Sequence, residues 1–297
     1  ELIVGPAAAE IRPEELILVV PDGPLCQIPF GVLKLRGRYI LETNPIAYLP
    51  SLCFGTLRLP KKEAAKHSYV FGDPKYPHEA VLDPRLGWGR IKLVSLEGSR
   101  IEAEQVAKVL GANLLLGEEA SEANLKRILP RCRYLHLALH GFVHREEPEL
   151  SCLLLSGGKG EDGIFELREL RGTSAEIVVL SACESGGGPL ARGEGLLGFG
   201  RAFLSAGARK LVVSLWPVND ICAAEIMPHF WKNLKSNLSA AQALREAQLE
   251  FLAKALAGKA PLPSVAQRGK FRKVKIHVDP SHPFFWGSFI LQVREVP

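Results

Sequence analysis

Apolar runs of four to nine residues, cut by polar turns, recur along the chain, and their rhythm changes near residue 69. Before that point LILVVPDGPLCQIPFGVLKLRGRYILE (16–42) predicts a β-strand, a Pro-Asp-Gly-Pro turn, and then a hairpin or meander of short strands. Beyond it, strand and helix patterns alternate. SYVFGDP (68–74) reads as a buried strand ending in a turn. SRIEAEQVAKVLG (99–111) has helical spacing, with Ser99 as N-cap, Glu102 three residues on and Gly111 at the exit. NLLLG is a short strand, and SEANLKRIL a short helix stopped by Pro130.

YLHLALHGF (134–142) reads as one strand, with Leu135, Leu137 and Leu139 on one face and Tyr134, His136, Ala138 and His140 on the other. SCLLLSGG (151–158) and EIVVLSAC (176–183) are further strands. GEGLLGFGRAFLSAGA (193–208) is a helix leaving at Gly207, and RKLVVSLWP (209–217) a strand. Helices follow at 220–236 and 239–258, the second opened by a Ser239/Gln242 capping box, and PFFWGSFILQV (283–293) closes as a strand. Strands alternating with helices, several of them apolar on both faces, predict an α/β fold with a mostly parallel sheet covered by helices on each side. In such sheets the functional crevice lies off the carboxyl ends of the strands, where His140 and Cys183 fall.

Composition narrows the class. The chain has 297 residues, 47% of them hydrophobic, enough for one large α/β domain or two small ones. Its longest uncharged apolar runs reach only about half of the ~18 residues that suggest a membrane span, so no membrane is expected. It starts at Glu1 without a charged start and apolar leader, which predicts a fragment or processed chain with more protein upstream. Six cysteines (26, 53, 132, 152, 183 and 222), with no CxxC, argue against a disulfide scaffold or a zinc ribbon and for a reducing compartment, the cytoplasm. The net charge is +5. Its basic groupings, KRILPRCR (126–133) and RGKFRKVK (268–275), lack an aromatic stacking set and read as solvated faces rather than a nucleic-acid surface.

Three chemistries compete. GEGLLG (193–198) matches a dinucleotide fingerprint, but the glycines do not follow directly on the preceding strand, so close helix packing explains them better. His136, His140 and His144 have metal-ligand spacing on a helix, whereas the stretch reads as strand; a buried, hydrogen-bonded His136 beside a reactive His140 is expected, and no metal. The third is nucleophilic catalysis by a thiol at an exposed turn, a histidine to manage protons, and backbone N–H groups facing an oxyanion. His140-Gly141 and Ala182-Cys183, at two strand ends, supply those parts.

Four motifs, LHLALHG (135–141), VVLSACESGGG (178–188), GEGLLGFGRAFLSAGARKLVVSLWPVND (193–220) and HPFFWGSFIL (282–291), together resemble the CHAT family, bacterial caspase-like peptidase domains usually joined to tetratricopeptide repeats. VVPDGPLCQIPFGVL (19–33), VFGDP (70–74) and GEEASEANLKRI (117–128) look like the family's N-terminal segments, so the likeness spans nearly the whole chain. It implies a caspase-like three-layer α/β/α sandwich in one domain over 1–297, with a strand-rich subregion at 1–60 and the core at 68–297, forming the C-terminal part of a longer protein. Carried over, Cys183 is the nucleophile, His140 the general acid/base, and the N–H groups of Gly141 and Cys183 the oxyanion donors. SLWPV (214–218) is the segment beside which an extended substrate would pair, with Trp216 flooring a subsite. Glu184 and Glu194 either cap the following helix or line a pocket for a basic side chain, and Asp220 either caps a helix or reaches the substrate.

Two departures stand out. Glu97 replaces a more usual proline, and Leu139 replaces a threonine beside the histidine, which bears on the orientation of His140. The resemblance implies a cytoplasmic cysteine endopeptidase in a defence or cell-death setting, without a cofactor, acting on a protein or peptide substrate and switched by an upstream repeat or sensor domain or a regulatory partner. The rival reading is a non-catalytic module of the same fold that holds a peptide in the same groove.

Overall fold

The structure, a computed structural model, describes residues 3–52, 65–76, 79–81, 90–92, 97–144, 147–181, 183–184, 194–216, 218–261 and 279–295. For 79–81, 90–92, 97, 183–184 and 194–197 only the backbone is described. Eight strands form the main sheet in the order β1 (Ile17–Val19), β4 (Ile46–Tyr48), β16 (Phe289–Val293), β15 (Lys210–Ser214), β13 (Ile177–Leu180), β9 (Cys132–Ala138), β5 (His67–Pro74) and β8 (Asn113–Gly117). Neighbours run parallel everywhere except between β15 and β16. Two hairpins, β2 (Lys34–Leu35) with β3 (Arg38–Tyr39) and β6 (Glu79–Val81) with β7 (Arg90–Lys92), lie outside it.

β13 and the middle of β15 (211–213) are hydrophobic at every position because both faces are covered. On one side α1 (Glu97–Leu110), α4 (Asp220–Lys235) and α5 (Ala240–Leu256) pack Ala103, Val106, Trp231 and Phe251 onto Val70, Val179 and Val212. On the other, α2 (Glu122–Ile128) and α3 (Glu194–Ala206) pack Leu125, Ile128, Phe203 and Leu204 onto Leu135, Leu137, Val178 and Leu211. The expected three-layer α/β/α sandwich with a mostly parallel sheet is therefore present. The N-terminal region contributes β1 and β4 to the same sheet. Arg245 on α5 fixes it there, donating to the carbonyls of Leu41 and Glu42 and pairing with Glu14.

A second sheet, in the order β12 (Ile164–Glu166), β11 (Cys152–Leu154), β10 (His140–Phe142) and β14 (Cys183–Glu184), stands beyond the carboxyl ends of β9 and β13. The strand predicted as continuous over 134–142 is thus two strands in different sheets, broken at the fully buried Leu139. The chain at β13 makes the same move. Leu137 faces Leu180 before the crossing and His140 faces Cys183 after it, so both chains spend equal lengths on it.

Other local expectations shift for identifiable reasons. Helix α1 begins at Glu97, and Ser99 lies inside it, its hydroxyl accepting the Asp73 N–H at 2.9 Å rather than capping the helix. The 283–293 segment is not one strand: Pro283–Trp286 forms a short helix, α6, with His282 as its N-cap, and β16 starts at Phe289. Of the GEGLLG glycines only Gly198 has described surroundings, and a tighter approach is found at Gly200, two residues past the motif. A Cβ there would fall 1.7 Å from Gln292 Oε1, whereas one at Gly198 would meet only ordinary contact.

Asp220 is the first residue of α4, and its N-cap is Asn219, whose side chain accepts the Ile221 N–H at 3.0 Å. Asn219→Ala is accordingly expected to cost about 1 kcal/mol of stability, read by urea unfolding; a loss below a third of that would remove the cap assignment.

Candidate active site

The carboxyl ends of β5, β9, β13 and β15 and the start of α4 converge on one region. His140 opens β10 and is 1% exposed. Its backbone register partner on β14 is Cys183, with Gly141 opposite Glu184, in a parallel pairing. On its other side β10 pairs antiparallel with β11, His140 opposite Leu154. The two predicted reactive residues are thus brought to matching positions on adjacent strands. Hydrogen-bonded strands lie about 4.8 Å apart. The side chains of Cys183, Glu184 and Glu194 lie outside the described residues, as do Ala182, Gly186, Gly187, Gly188, Gly193 and Pro217.

Sequence reading missed Tyr76. Its hydroxyl accepts the His140 backbone N–H at 3.2 Å, and its ring lies against the imidazole with centroids 4.9 Å apart at a 47° tilt. Burial pushes the phenol well above its usual pKa, the His140 hydrogen bond opposes that, and the nearby charges of Asp73 and Asp220 add to it, so the group is a neutral hydroxyl at physiological pH. Asp73 and Asp220 therefore both bear electrostatically on the Tyr76 phenol. Gly98 makes the approach of Asp220 possible: a Cβ there would fall 2.3 Å from Asp220 Cβ, so only glycine lets the start of α1 meet the start of α4. The only clue to Tyr76 in the sequence is its place just past the strand-ending turn of VFGDP, since it lies 64 residues from His140.

The three histidines have separate partners. His136 Nε2 is 3.0 Å from Glu102 Oε1 on α1, and its Nδ1 accepts the Trp231 indole N–H from α4 at 3.2 Å, so the proton sits on Nε2 and bonds to the carboxylate. This is the buried, hydrogen-bonded His136 that the sequence led one to expect. His144 is tied to its own turn, its N–H donating to Ser151 Oγ and its Nδ1 accepting from the Glu147 N–H. Among the described residues, the acidic groups of Glu122, Glu161 and Glu169 come together, but they converge on Lys126 Nζ at 2.7 Å each. The ammonium pins α2 to the β11–β12 hairpin. Elsewhere in KRILPRCR, Arg127 bonds Asn124, Arg131 donates to the Arg127 carbonyl of α2, and Arg133 pairs with Glu176; RGKFRKVK lies outside the described residues.

Trp216 follows β15 at the same end of the sheet and is half-buried. Its ring stacks on Phe284 of α6, with centroids 6.1 Å apart and planes 13° from parallel, and its indole N–H donates to the Phe284 carbonyl at 2.9 Å. Phe284 is 47% exposed, whereas Trp216 also packs against the hydrophobic core, so the pair forms an apolar ledge at the surface that is anchored on the core.

The family's CHAT domain model matches residues 1–294, and the chain belongs to the CHAT domain family. It is 27% identical over 283 residues to mouse tetratricopeptide repeat protein 28 and 27% identical over 285 residues to the human protein of that name. Each alignment spans 80% of this chain and 11% of the relative, so the chain spans only a small part of these relatives. Among solved structures, a crystal structure of the Saccharomyces cerevisiae separase–securin complex aligns over 91% of this chain and 14% of that one, with a TM-score of 0.46 and 13% identity. Among the described residues, no helix is long and apolar enough to cross a membrane.

Proposed function

We propose that the chain is a caspase-like cysteine endopeptidase domain acting through a Cys183–His140 dyad. The observation that carries this is the register pairing of His140 with Cys183 on neighbouring parallel strands beyond the main sheet. In this reading the Cys183 thiolate attacks the substrate carbonyl carbon and forms a C–S bond. The oxyanion is held by the N–H groups of Gly141 and Cys183. His140 gives its proton to the departing amine as the C–N bond breaks, leaving a thioester. Water, deprotonated by His140, then attacks that thioester, releasing the acid and restoring the thiol.

The Trp216–Phe284 ledge is the wall of a substrate subsite, and Glu184 and Asp220 are candidate contacts for the substrate, Asp220 adding negative charge that suits a basic side chain. Substrates in this reading are proteins or peptides, and an adjoining repeat or sensor domain or another regulatory partner switches the site. A bacterial, cytoplasmic setting in defence or cell death belongs to the same reading and is supported by the sequence resemblance alone, the relatives above being mammalian. The test is a cleavage profile of the full-length protein on a diverse peptide library. Cleavage with a reproducible residue preference supports the reading, and tight binding of peptides left intact under activating conditions replaces it with a peptide-holding module.

Trp216→Ala is expected to lower cleavage about 10-fold, mainly through KM, while the Cys183 thiol keeps its reactivity. Normal cleavage, or a variant that fails to fold, would remove Trp216 from the groove.

A further inference from the structure

We propose that Tyr76 is the positioning residue for His140, its hydroxyl pinning the start of β10 and its ring face fixing the imidazole. The inference rests on the dyad reading above for its meaning in catalysis, but its geometry is independent of it. Residue 139, a threonine in the family the sequence resembles, is a fully buried leucine here.

Tyr76 supplies two separable contacts. The 3.2 Å hydrogen bond from the His140 N–H fixes the backbone at the point where the chain has just left β9 and has only three residues of β10 to hold it. The tilted ring contact restricts the imidazole rotamer, and aromatic faces hold a neighbouring ring at this centroid spacing.

The residues leading into Tyr76 are themselves anchored to two parts of the fold, which a positioning residue requires. Asp73 adopts a left-handed backbone, φ 40°, with its N–H on Ser99 Oγ and its carboxylate 2.8 Å from Arg100 Nε. The Lys75 N–H donates to Ser156 Oγ at 2.8 Å, and the Ser156 hydroxyl donates to the Gly117 carbonyl at 2.7 Å. Tyr76 is therefore tied to α1, to the end of β8 and to the loop after β11, and β11 is the strand that pairs with β10. The hydroxyl and the His140 strand are referred to the same framework from two directions.

Two variants separate the contacts. Tyr76→Phe keeps the ring and removes the hydroxyl; Tyr76→Leu removes both. In the full-length protein, hydrogen exchange at the His140 amide is expected to speed up at least about 10-fold in both variants, because the bond that protects it is gone. The ring-current displacement of the His140 imidazole proton resonances should persist in Tyr76→Phe and collapse in Tyr76→Leu. On cleavage, kcat is expected to fall about 10-fold for the phenylalanine variant and about 100-fold for the leucine variant with KM nearly unchanged, since misplacement on the scale of an ångström costs that much.

Wild-type kcat in Tyr76→Leu, or unaltered exchange and imidazole shifts in both variants, overturns the proposal. Activity lost equally in both variants overturns the part assigned to the ring. If the wild-type protein does not cleave, the dyad reading fails while the exchange and resonance measurements still decide whether Tyr76 fixes His140.

Discussion

Cys183→Ala, in the activated full-length protein, is expected to lower peptide cleavage by several orders of magnitude, and His140→Ala to do nearly the same, with both variants folded. On the proposed dyad the first removes the nucleophile and the second the group that carries protons to and from it. Because both act in one chemical step, the double variant should be hardly slower than either single one. Iodoacetamide provides the companion measurement. Cys26, Cys132, Cys152 and Cys222 are buried. Burial raises the Cys132 thiol to about 11 and the Cys222 thiol to about 12, and it raises Cys152 as well, so these three are protonated and slow to alkylate at neutral pH. Cys183 should therefore label ahead of these three, and that preference should weaken without His140; Cys53 lies outside the described residues. Proteolysis that survives Cys183→Ala, or additive losses in the double variant, would sink the dyad.

The second large effect concerns stability rather than chemistry. Trp231 is fully buried, and its indole N–H is the donor that fixes the tautomer of His136. Trp231→Ala opens a large cavity between α4 and the sheet and leaves His136 Nδ1 without its partner, at an expected cost of about 3 to 5 kcal/mol from the cavity and about 1 to 3 kcal/mol more from the orphaned acceptor. Denaturant unfolding measures this. Trp231→Phe, which restores most of the volume but not the hydrogen bond, should fall between the two. A loss under 1 kcal/mol in Trp231→Ala would mean that the network does not support the fold. Activity lost at unchanged stability would move His136 from a structural role to a chemical one.

Much of the layout is legible in local pattern. The runs at 177–180 and 211–213 are apolar at every position because helices cover both faces, and the Ser239/Gln242 box and the Gly207 exit mark helix ends through hydrogen bonds made within a few residues. The failures come where tertiary contact overrides the local signal. Ser99 has the form of a cap, but its hydroxyl bonds to Asp73 26 residues away. YLHLALHGF alternates as one strand because both of its halves are strands; only the partners, β13 for one and β14 for the other, reveal the break. Asn219 and Asp220 are equally plausible caps by residue type, and the decision is made by which side chain reaches the Ile221 N–H. Of the candidate site, His140 and Cys183 were visible from their places at strand ends. Tyr76 was not, because its link to His140 depends on how β5 lies beside β9, which no periodicity encodes.

The paired crossings between the two sheets have a consequence for how the site can vary. The last register pair between β9 and β13 is Leu137 with Leu180, and the next pair between the same two chains is His140 with Cys183. They behave as two tethers cut to the same length. What sets position 140 opposite position 183 is then a count of residues, three from Leu137 on one chain and three from Leu180 on the other, more than the identity of any of them. Exchanging one small side chain for another leaves the tethers matched. Adding or deleting a single residue in one of them slides one strand past its neighbour by about 3.3 Å and sets His140 against the wrong residue, while the eight-stranded sheet behind it is undisturbed.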